Sequence, residues 1–305
     1  MIQILGTVFA ALIGLAFGSF LNVCLTRCPA GESIAKPRSH CRHCAHTLAW
    51  WENVPLVSWL VLRGRCRSCR AWIGWRYPIV ELVVGTAWAV AAWQTLAEML
   101  SPGWTATSIF DSLLFGAEKM ILCWILVGLA VLDAEHLWLP DWGTLGGAAL
   151  GLPFAFLRLA VHWISASVSM EWTTAHELAT FRAHIFDVIL RWIFGILAVP
   201  ALFLLTRWIY RQVRGREGIG LGDVKLVLLL AVWLGLAPTL LAFVLGVVLG
   251  TAVALGLLAL PSFRRNIDQW AFTKLPLGTF LCVGGIVSSL WGREIIAAYL
   301  SWSGF

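Results

Sequence analysis

The stretch GIGLGDVKLVLLLAVWLGL, residues 218–236, places Asp223 directly after a glycine-rich turn and before a long apolar run. An apolar run of this kind is typical of a membrane helix. An ionisable group at the edge of such a helix is costly, so its presence indicates a function. The stretch therefore predicts a membrane protein and marks Asp223 as a candidate functional residue.

The composition of the whole chain agrees with this interpretation. Of 305 residues, 60% are hydrophobic and only 12% are charged, outside the range of soluble domains. We expect an all-α, polytopic membrane bundle without a large water-soluble core. Since a bilayer core of about 30 Å requires about 20 apolar residues per helix, the runs predict about eight spans. They lie at 4–25, 79–100, 111–132, 142–164, 184–206, 223–236, 239–260 and 276–300. Seven spans also fit, because Pro238 could make the sixth and seventh runs one kinked hairpin.

The basic residues predict how these spans are oriented. Most of the 22 lysine and arginine residues lie in three connecting segments. These are Arg27, Lys36, Arg38, Arg42, Arg63, Arg65, Arg67, Arg70 and Arg76; then Arg207, Arg211, Arg214, Arg216 and Lys225; then Arg264, Arg265 and Lys274. The positive-inside rule makes this face cytoplasmic, with both termini outside. We interpret the net charge of +6 as a topology signal with affinity for anionic lipid, and not as a nucleic-acid footprint.

The chain divides by composition into three parts. Residues 1–25 form the first membrane helix, residues 26–78 a small cytoplasmic loop domain, and residues 79–305 a membrane bundle that carries the chemistry. Residues 165–183 are expected to form an external loop of unknown role. The sequence gives no indication of the oligomeric state.

Two cysteine pairs in the loop domain indicate a metal site. Cys41 and Cys44 in CRHC, and Cys66 and Cys69 in CRSC, have the two-residue spacing of a tetrahedral Zn²⁺ site. The alternatives are four reduced thiols without metal, or two disulfides. Because disulfides rarely persist in the cytoplasm, we favour structural zinc. The neighbouring histidines are less favoured alternative ligands; they are His40, His43 and His46.

Two aspartates at the predicted cytoplasmic edge are the candidate catalytic groups. Asp133 ends the third span in VLDAEHLWLPD, and Asp223 opens the sixth. Paired carboxylates from two helices can share a proton and activate water. Asp223 could instead be only a helix N-cap, Asp133 a solvated helix end, and Asp141 the N-cap of the fourth span. A transporter would also place carboxylates in the membrane.

Further motifs in one order resemble the bacterial prepilin peptidases, the type IV leader peptidase family of GxGD membrane aspartic proteases. They are GSFLNVCLTRCP (18–29), WWENVPLVSWLVLRGRCRSC (50–69), RYPIVEL (76–82), DAEHLWLPD (133–141), GREGIGLGDVKL (215–226) and LPLGTFL (275–281). The chain departs from the family pattern in CRHC, where proline often follows the first cysteine. It also departs in LPLGTFL, which lacks the usual phenylalanine and second proline.

The resemblance implies an enzyme of the bacterial inner membrane with its active site at the cytoplasmic face. It would cut the leader from type IV prepilins or type II secretion pseudopilins with Asp133 and Asp223. It would then methylate the new N-terminus with S-adenosylmethionine. The residues that bind the methyl donor stay unassigned; polar candidates are Asn22, Glu52, Asn53, Arg63 and Glu81. The rival class is a carboxylate-dependent membrane transporter, and a third is a metal-binding scaffold subunit.

Overall fold

The computed structural model describes residues 1–103, 105–169, 175–215, 220–259 and 275–304. Within these ranges the chain contains helices and no β-strand. The helices are α1 Ile2–Arg27, α2 Val57–Val61, α3 Arg76–Met99, α4 Ala106–His136, α5 Asp141–Ser169, α6 Ala175–Arg214, α7 Leu221–Leu234, α8 Leu236–Ala259 and α9 Leu277–Ser303. The prediction of an all-α membrane bundle is confirmed.

Seven helices of the described ranges are long and apolar enough to cross a membrane: α1, α3, α4, α5, α6, α8 and α9. The sixth predicted span is α7, which has 14 residues. At 1.5 Å per residue it is about 21 Å long, shorter than the hydrocarbon core of about 30 Å. The eighth span is therefore not confirmed, and the predicted orientation stays a prediction.

The break between α7 and α8 lies at Gly235. Its φ of 78° is in the left-handed region that favours glycine, and its amide donates to the Ala231 carbonyl at 3.0 Å. Pro238 lies in the first turn of α8, where a proline disturbs few helical hydrogen bonds. The two runs are thus separate helices, and the break lies at Gly235 and not at Pro238, where the alternative of one kinked hairpin places it.

The predicted external loop at 165–183 is wrong for the part of it that the structure describes. Helix α5 continues to Ser169 and α6 begins at Ala175, since alanine, glutamate and leucine in AHELA favour helix. Residues 170–174 lie outside the described ranges, as do the predicted basic-segment residues Arg216, Arg264, Arg265 and Lys274.

The chain forms two compact units. The first comprises Met1–Trp104 and Phe115–Gly128, and the second comprises Thr105–Leu114 and Leu129–Phe305. This grouping follows spatial contacts, so the sequence-based boundaries at residues 25 and 78 stay predictions.

In the first unit, α1 and α3 pack with their backbones in close approach. A Cβ atom at Gly18 would lie 2.7 Å from Glu81 Cα, and one at Gly14 would lie 3.0 Å from Gly85 Cα. Small residues allow such approach between membrane helices. The pair supports the loop domain, which connects the end of α1 to the start of α3.

In the second unit, α7 packs against α5, α6, α8 and α9. Half of its residues are buried: Val224, Leu226, Val227, Leu229, Leu230, Ala231 and Val232. A helix that is apolar all round belongs to an interior. Helix α7 is therefore the core of this unit, and its first turn carries Asp223.

Candidate active site and metal site

Asp133 lies near the end of α4, and its residue is only 6% exposed. Its Oδ2 accepts a hydrogen bond from the backbone amide of Thr279 at 2.6 Å, and the Thr279 hydroxyl oxygen lies 3.1 Å from the same atom. The hydroxyl is also 3.1 Å from the Ala130 carbonyl oxygen. Since buried carboxylates require donors, Thr279 satisfies and orients Asp133.

The start of α9 approaches this carboxylate closely. A Cβ atom at Gly278 would lie 2.9 Å from Asp133 Oδ2 and 2.9 Å from a methyl carbon of Leu139. Only a glycine fits such spacing without a shift of its neighbours. Gly278 and Thr279 are not among the site residues predicted from the sequence, and the signal that could have indicated them is the LPLGTFL motif, to which both belong.

Asp223 is the third residue of α7 and is partly exposed. Its Oδ2 accepts a hydrogen bond from the amide of Gly220, the N-cap residue, at 3.3 Å. The alternative that Asp223 is the N-cap is therefore wrong in position. The carboxylate instead reaches back from the first turn, as in a capping box, and keeps acceptor capacity for other donors.

The two aspartates come together although they are far apart in the sequence. They are near enough for the charge of Asp133 to act on Asp223. The Leu139 side chain lies beside Gly222, the residue before Asp223 on α7, and beside Gly278 of α9, which contacts Asp133. Cys282, a fully buried residue of α9, lies about one helical turn after Gly278. Helices α4, α7 and α9 thus form one acidic site.

Asp141 is the first residue of α5, and its carboxylate forms an ion pair with Lys225 of α7. The predicted role of Asp141 as the N-cap of this helix is wrong in position, because Asp141 is the first helical residue and not the residue before it. The pair also accounts for Lys225, which lies two residues after Asp223. A two-residue offset turns a side chain about 200° around a helix, away from its neighbour. Lys225 therefore pairs with Asp141 and not with Asp223.

The four cysteines of the loop domain form one cluster. The Sγ atoms of Cys41, Cys44, Cys66 and Cys69 all lie within 4.8 Å of one another. Across the two pairs, Cys41 Sγ lies 3.7 Å from Cys69 Sγ, and Cys44 Sγ lies 3.9 Å from Cys66 Sγ. A tetrahedral zinc site with bonds of about 2.3 Å has sulfur atoms about 3.8 Å apart. The cluster fits a metal ion, and all four thiols are free of disulfides.

Each cysteine pair lies on a turn of the same construction. The amide of Cys41 donates to the His46 carbonyl, and that of Cys66 to the Ala71 carbonyl, both at 2.9 Å. Directly after each pair comes a residue with positive φ, Ala45 at 54° and Arg70 at 60°. The repeated turn directs both thiols of each pair to one centre. The two-residue spacing alone does not predict this turn geometry.

The three histidines of this region lie outside the metal cluster found among the described residues. His40 and His43 line a neighbouring cavity, and the His46 ring nitrogen Nε2 lies 3.3 Å from Glu52 Oε2. The less favoured histidine ligands are therefore not part of the cysteine cluster.

The cavity has a volume of about 290 Å³ and lies between the loop domain and the ends of α1 and α3. Of the five polar candidates for binding the methyl donor, four line this cavity: Asn22, Glu52, Asn53 and Glu81. Arg63 does not line it. Two of their buried oxygens, Asn22 Oδ1 and Glu52 Oε1, have no hydrogen-bond partner. Such atoms are costly unless a ligand or water donates to them.

The other oxygen of Glu52 is well satisfied. Its Oε2 accepts from the Ala49 amide at 2.8 Å. This hydrogen bond, together with His46, holds the pKa of the Glu52 carboxyl below its ordinary value. The group is therefore a carboxylate at neutral pH, and its other oxygen, Oε1, is buried without a hydrogen-bond partner.

Comparison with known proteins gives a consistent result. The bacterial peptidase A24 N-terminal domain matches residues 12–95, and the type IV leader peptidase family matches residues 120–255. Proteins named prepilin leader peptidase/N-methyltransferase are similar to the chain. That of Stutzerimonas stutzeri is 31% identical over 96% of this chain and 93% of its own length. That of Pseudomonas aeruginosa is 30% identical over 96% and 93%, and that of Burkholderia pseudomallei is 32% identical over 93% and 85%. No solved structure matches the chain.

Proposed function

Because the chain belongs to the type IV leader peptidase family, we propose that it cleaves the leader from type IV prepilins or type II secretion pseudopilins. It acts as a multi-pass protein of the bacterial inner membrane, with the acidic site at the cytoplasmic face. The convergence of α4 and α7 around Leu139, which brings Asp133 and Asp223 to one site, carries this proposal. Nothing in the comparisons favours a carboxylate-dependent transporter or a scaffold subunit.

The two aspartates would divide the proton transfers of peptide hydrolysis. One carboxylate takes a proton from water, whose oxygen attacks the scissile carbonyl carbon, while the other, protonated, donates to the carbonyl oxygen. The C–N bond then breaks and the leaving amine receives a proton. Thr279 holds Oδ2 of Asp133 and leaves the second oxygen for water.

The cavity of the first unit supports a second activity, methylation of the new N-terminal amine. The relatives' name includes N-methyltransferase, and S-adenosylmethionine supplies the methyl group when bound. The free oxygens of Asn22 and Glu52 fit donors on a charged, nitrogen-bearing ligand. We place the methyl donor or the amine that receives the methyl group there. Zinc on the four cysteines would hold the loop domain that walls this cavity.

The test is the mass of a prepilin produced together with this chain in cells that lack their own leader peptidase. We expect loss of the leader and an added methyl group. Intact prepilin would contradict the peptidase proposal, provided that the chain is present in the membrane. The double variant Asp133→Asn with Asp223→Asn is the inactive control.

The variant Glu52→Gln separates the two activities. Its amide oxygen can still accept from the Ala49 amide, but the second carboxylate oxygen is lost. We expect the leader to be removed and the methyl group to be absent. Normal methylation in this variant would exclude the cavity as the methylation site without affecting the peptidase proposal.

A further inference from the structure

The short helix α2 of the loop domain presents an apolar face to its surroundings. Val57, Leu60 and Val61 are spaced at i, i+3 and i+4 and so share one side of the helix. They are 54%, 66% and 70% exposed. A helix side that faces water normally carries polar residues. An exposed helix side that is entirely aliphatic is typical of a surface that contacts a partner or a membrane.

The opposite side of α2 is fixed by an aromatic cluster. Trp59 lies about 150° around the helix from the centre of the exposed side. Its ring centroid is 4.5 Å from that of Trp75 and 5.8 Å from that of Trp72. The Trp59 indole nitrogen also donates to the Ile73 carbonyl at 3.2 Å. These contacts hold α2 against residues 72–75.

Residues 72–75 lead directly into a membrane helix. Helix α3, a candidate span, begins at Arg76. Trp75, the residue before it, is 60% exposed, and Trp72 is 51% exposed. Tryptophan at the end of a span is typical of the membrane interface, where its ring contacts lipid and its polar edge contacts headgroups. The exposed side of α2 is thus tied to the point where the chain enters the bilayer.

The charge of the segment that contains α2 indicates which surface covers this face. Between residues 57 and 76 the chain has five arginines and no acidic residue. They are Arg63, Arg65, Arg67, Arg70 and Arg76. Arginines of this density attract anionic headgroups. The same charge repels the basic leader of a prepilin and the same face of a second copy, so an anionic lipid surface is the best-matched partner.

We propose that the exposed face of α2, with Trp72 and Trp75, inserts into the headgroup region of an anionic membrane. Val57, Leu60 and Val61 enter the apolar boundary, while the exposed Arg63, Arg65 and Arg70 contact phosphate groups. This contact holds the loop domain at the membrane surface. The inference does not depend on either enzymatic activity.

The experiment measures the depth of residue 60 in the full-length chain. A fluorescent noncanonical amino acid replaces Leu60, and the protein is reconstituted in vesicles of phosphatidylcholine with phosphatidylglycerol. Lipids with a nitroxide near the headgroup and dissolved iodide serve as the two quenchers. The same probe at His43, an exposed residue of the first cysteine turn, is the control.

We expect strong quenching at position 60 by the lipid nitroxide, protection from iodide, and the reverse at position 43. Pure phosphatidylcholine vesicles should reduce the lipid quenching at position 60. Protection from iodide without lipid quenching would overturn the proposal, because a protein would then cover the face. Free access of iodide to position 60, equal lipid quenching at both positions, or no effect of phosphatidylglycerol would overturn it as well.

Discussion

The cysteine cluster and the aspartate site are built at different ranges along the chain. Each cysteine turn is local: the thiols of a pair are three residues apart, and hydrogen bonds within the same turn hold them. The aspartate site requires α4, α7 and α9, and its closest hydrogen bond joins Asp133 to Thr279. The cysteine cluster requires only that its two turns form and come together. The aspartate site requires that the helices of the second unit are packed. Loss of one residue should therefore have different consequences in the two places.

Removal of thiols should have the largest effect, because structural zinc contributes about 10–16 kcal/mol of apparent binding free energy in small domains. We expect the purified chain to hold about one Zn²⁺, and the double variant Cys66→Ser with Cys69→Ser to hold none. Elemental analysis measures the metal, and limited proteolysis should cut the loop domain of the variant faster.

Cys28→Ser is the matched control for this prediction, since Cys28 lies outside the cluster. It should keep its zinc. Metal retained in the double variant, or no metal in the unchanged protein, would show that the cluster is not a zinc site. Faster proteolysis should be confined to residues 26–78 if the metal stabilises only the local turns.

The second largest effect is expected at the aspartates. Asp133→Asn and Asp223→Asn are nearly isosteric, but neither amide can take a proton from water. Each should slow leader removal by about 10²–10⁴-fold, the usual contribution of general acid–base catalysis. The rate is measured in membranes that contain equal amounts of each variant. Asp187→Asn is the control, because Asp187 forms an exposed ion pair with Arg191 on α6. Near-normal cleavage by either single variant would contradict the dyad.

Thr279 gives a smaller, graded effect on the same site. Thr279→Val removes the hydroxyl donor but keeps the backbone amide that contacts Asp133. One hydrogen bond contributes about 1–1.5 kcal/mol, so we expect cleavage to slow by about tenfold. Thr279→Ser should restore most of the rate. Thr86→Val, at an exposed hydroxyl of α3 that bonds only within its own helix, should leave the rate unchanged.

Equal rates for Thr279→Val and Thr279→Ser would mean that the hydroxyl does not support Asp133. The backbone amide of Thr279 would then be the only group of Thr279 that supports Asp133. Helix α9 would contribute to the site only by placing that amide. This result would bring the aspartate site closer in character to the cysteine turns, which are held by backbone hydrogen bonds.

The sequence was informative where a signal is local. Two-residue spacing predicted the cysteine cluster, and apolar length predicted the helices. Thr279 and Gly278 were missed as partners of Asp133, because no periodicity connects residues so far apart in the chain. The predicted sixth run extends through Gly235 to residue 236, because a glycine within an apolar run is an ambiguous signal. The free oxygens of Asn22 and Glu52 depend on burial, which only packing determines.

The ion pair between Lys225 and Asp141 should have the smallest effect, although it lies only two residues from Asp223. The two side chains are 32% and 66% exposed, and exposed pairs contribute at most about 1 kcal/mol. We expect Lys225→Gln and Asp141→Asn each to lower thermal stability slightly. Each single variant already removes the ion pair. The loss of stability in the double variant should therefore be no larger than the sum of the two single losses. Leader removal should stay within about threefold of normal. We expect loss of this exposed pair to change the activation free energy by less than about 0.7 kcal/mol. A double-mutant cycle on the unfolding temperature measures the coupling. If Lys225→Gln abolished cleavage at unchanged stability, Lys225 would have to act on the reaction itself. Its ammonium group would then belong to the aspartate site in addition to its ion pair with Asp141.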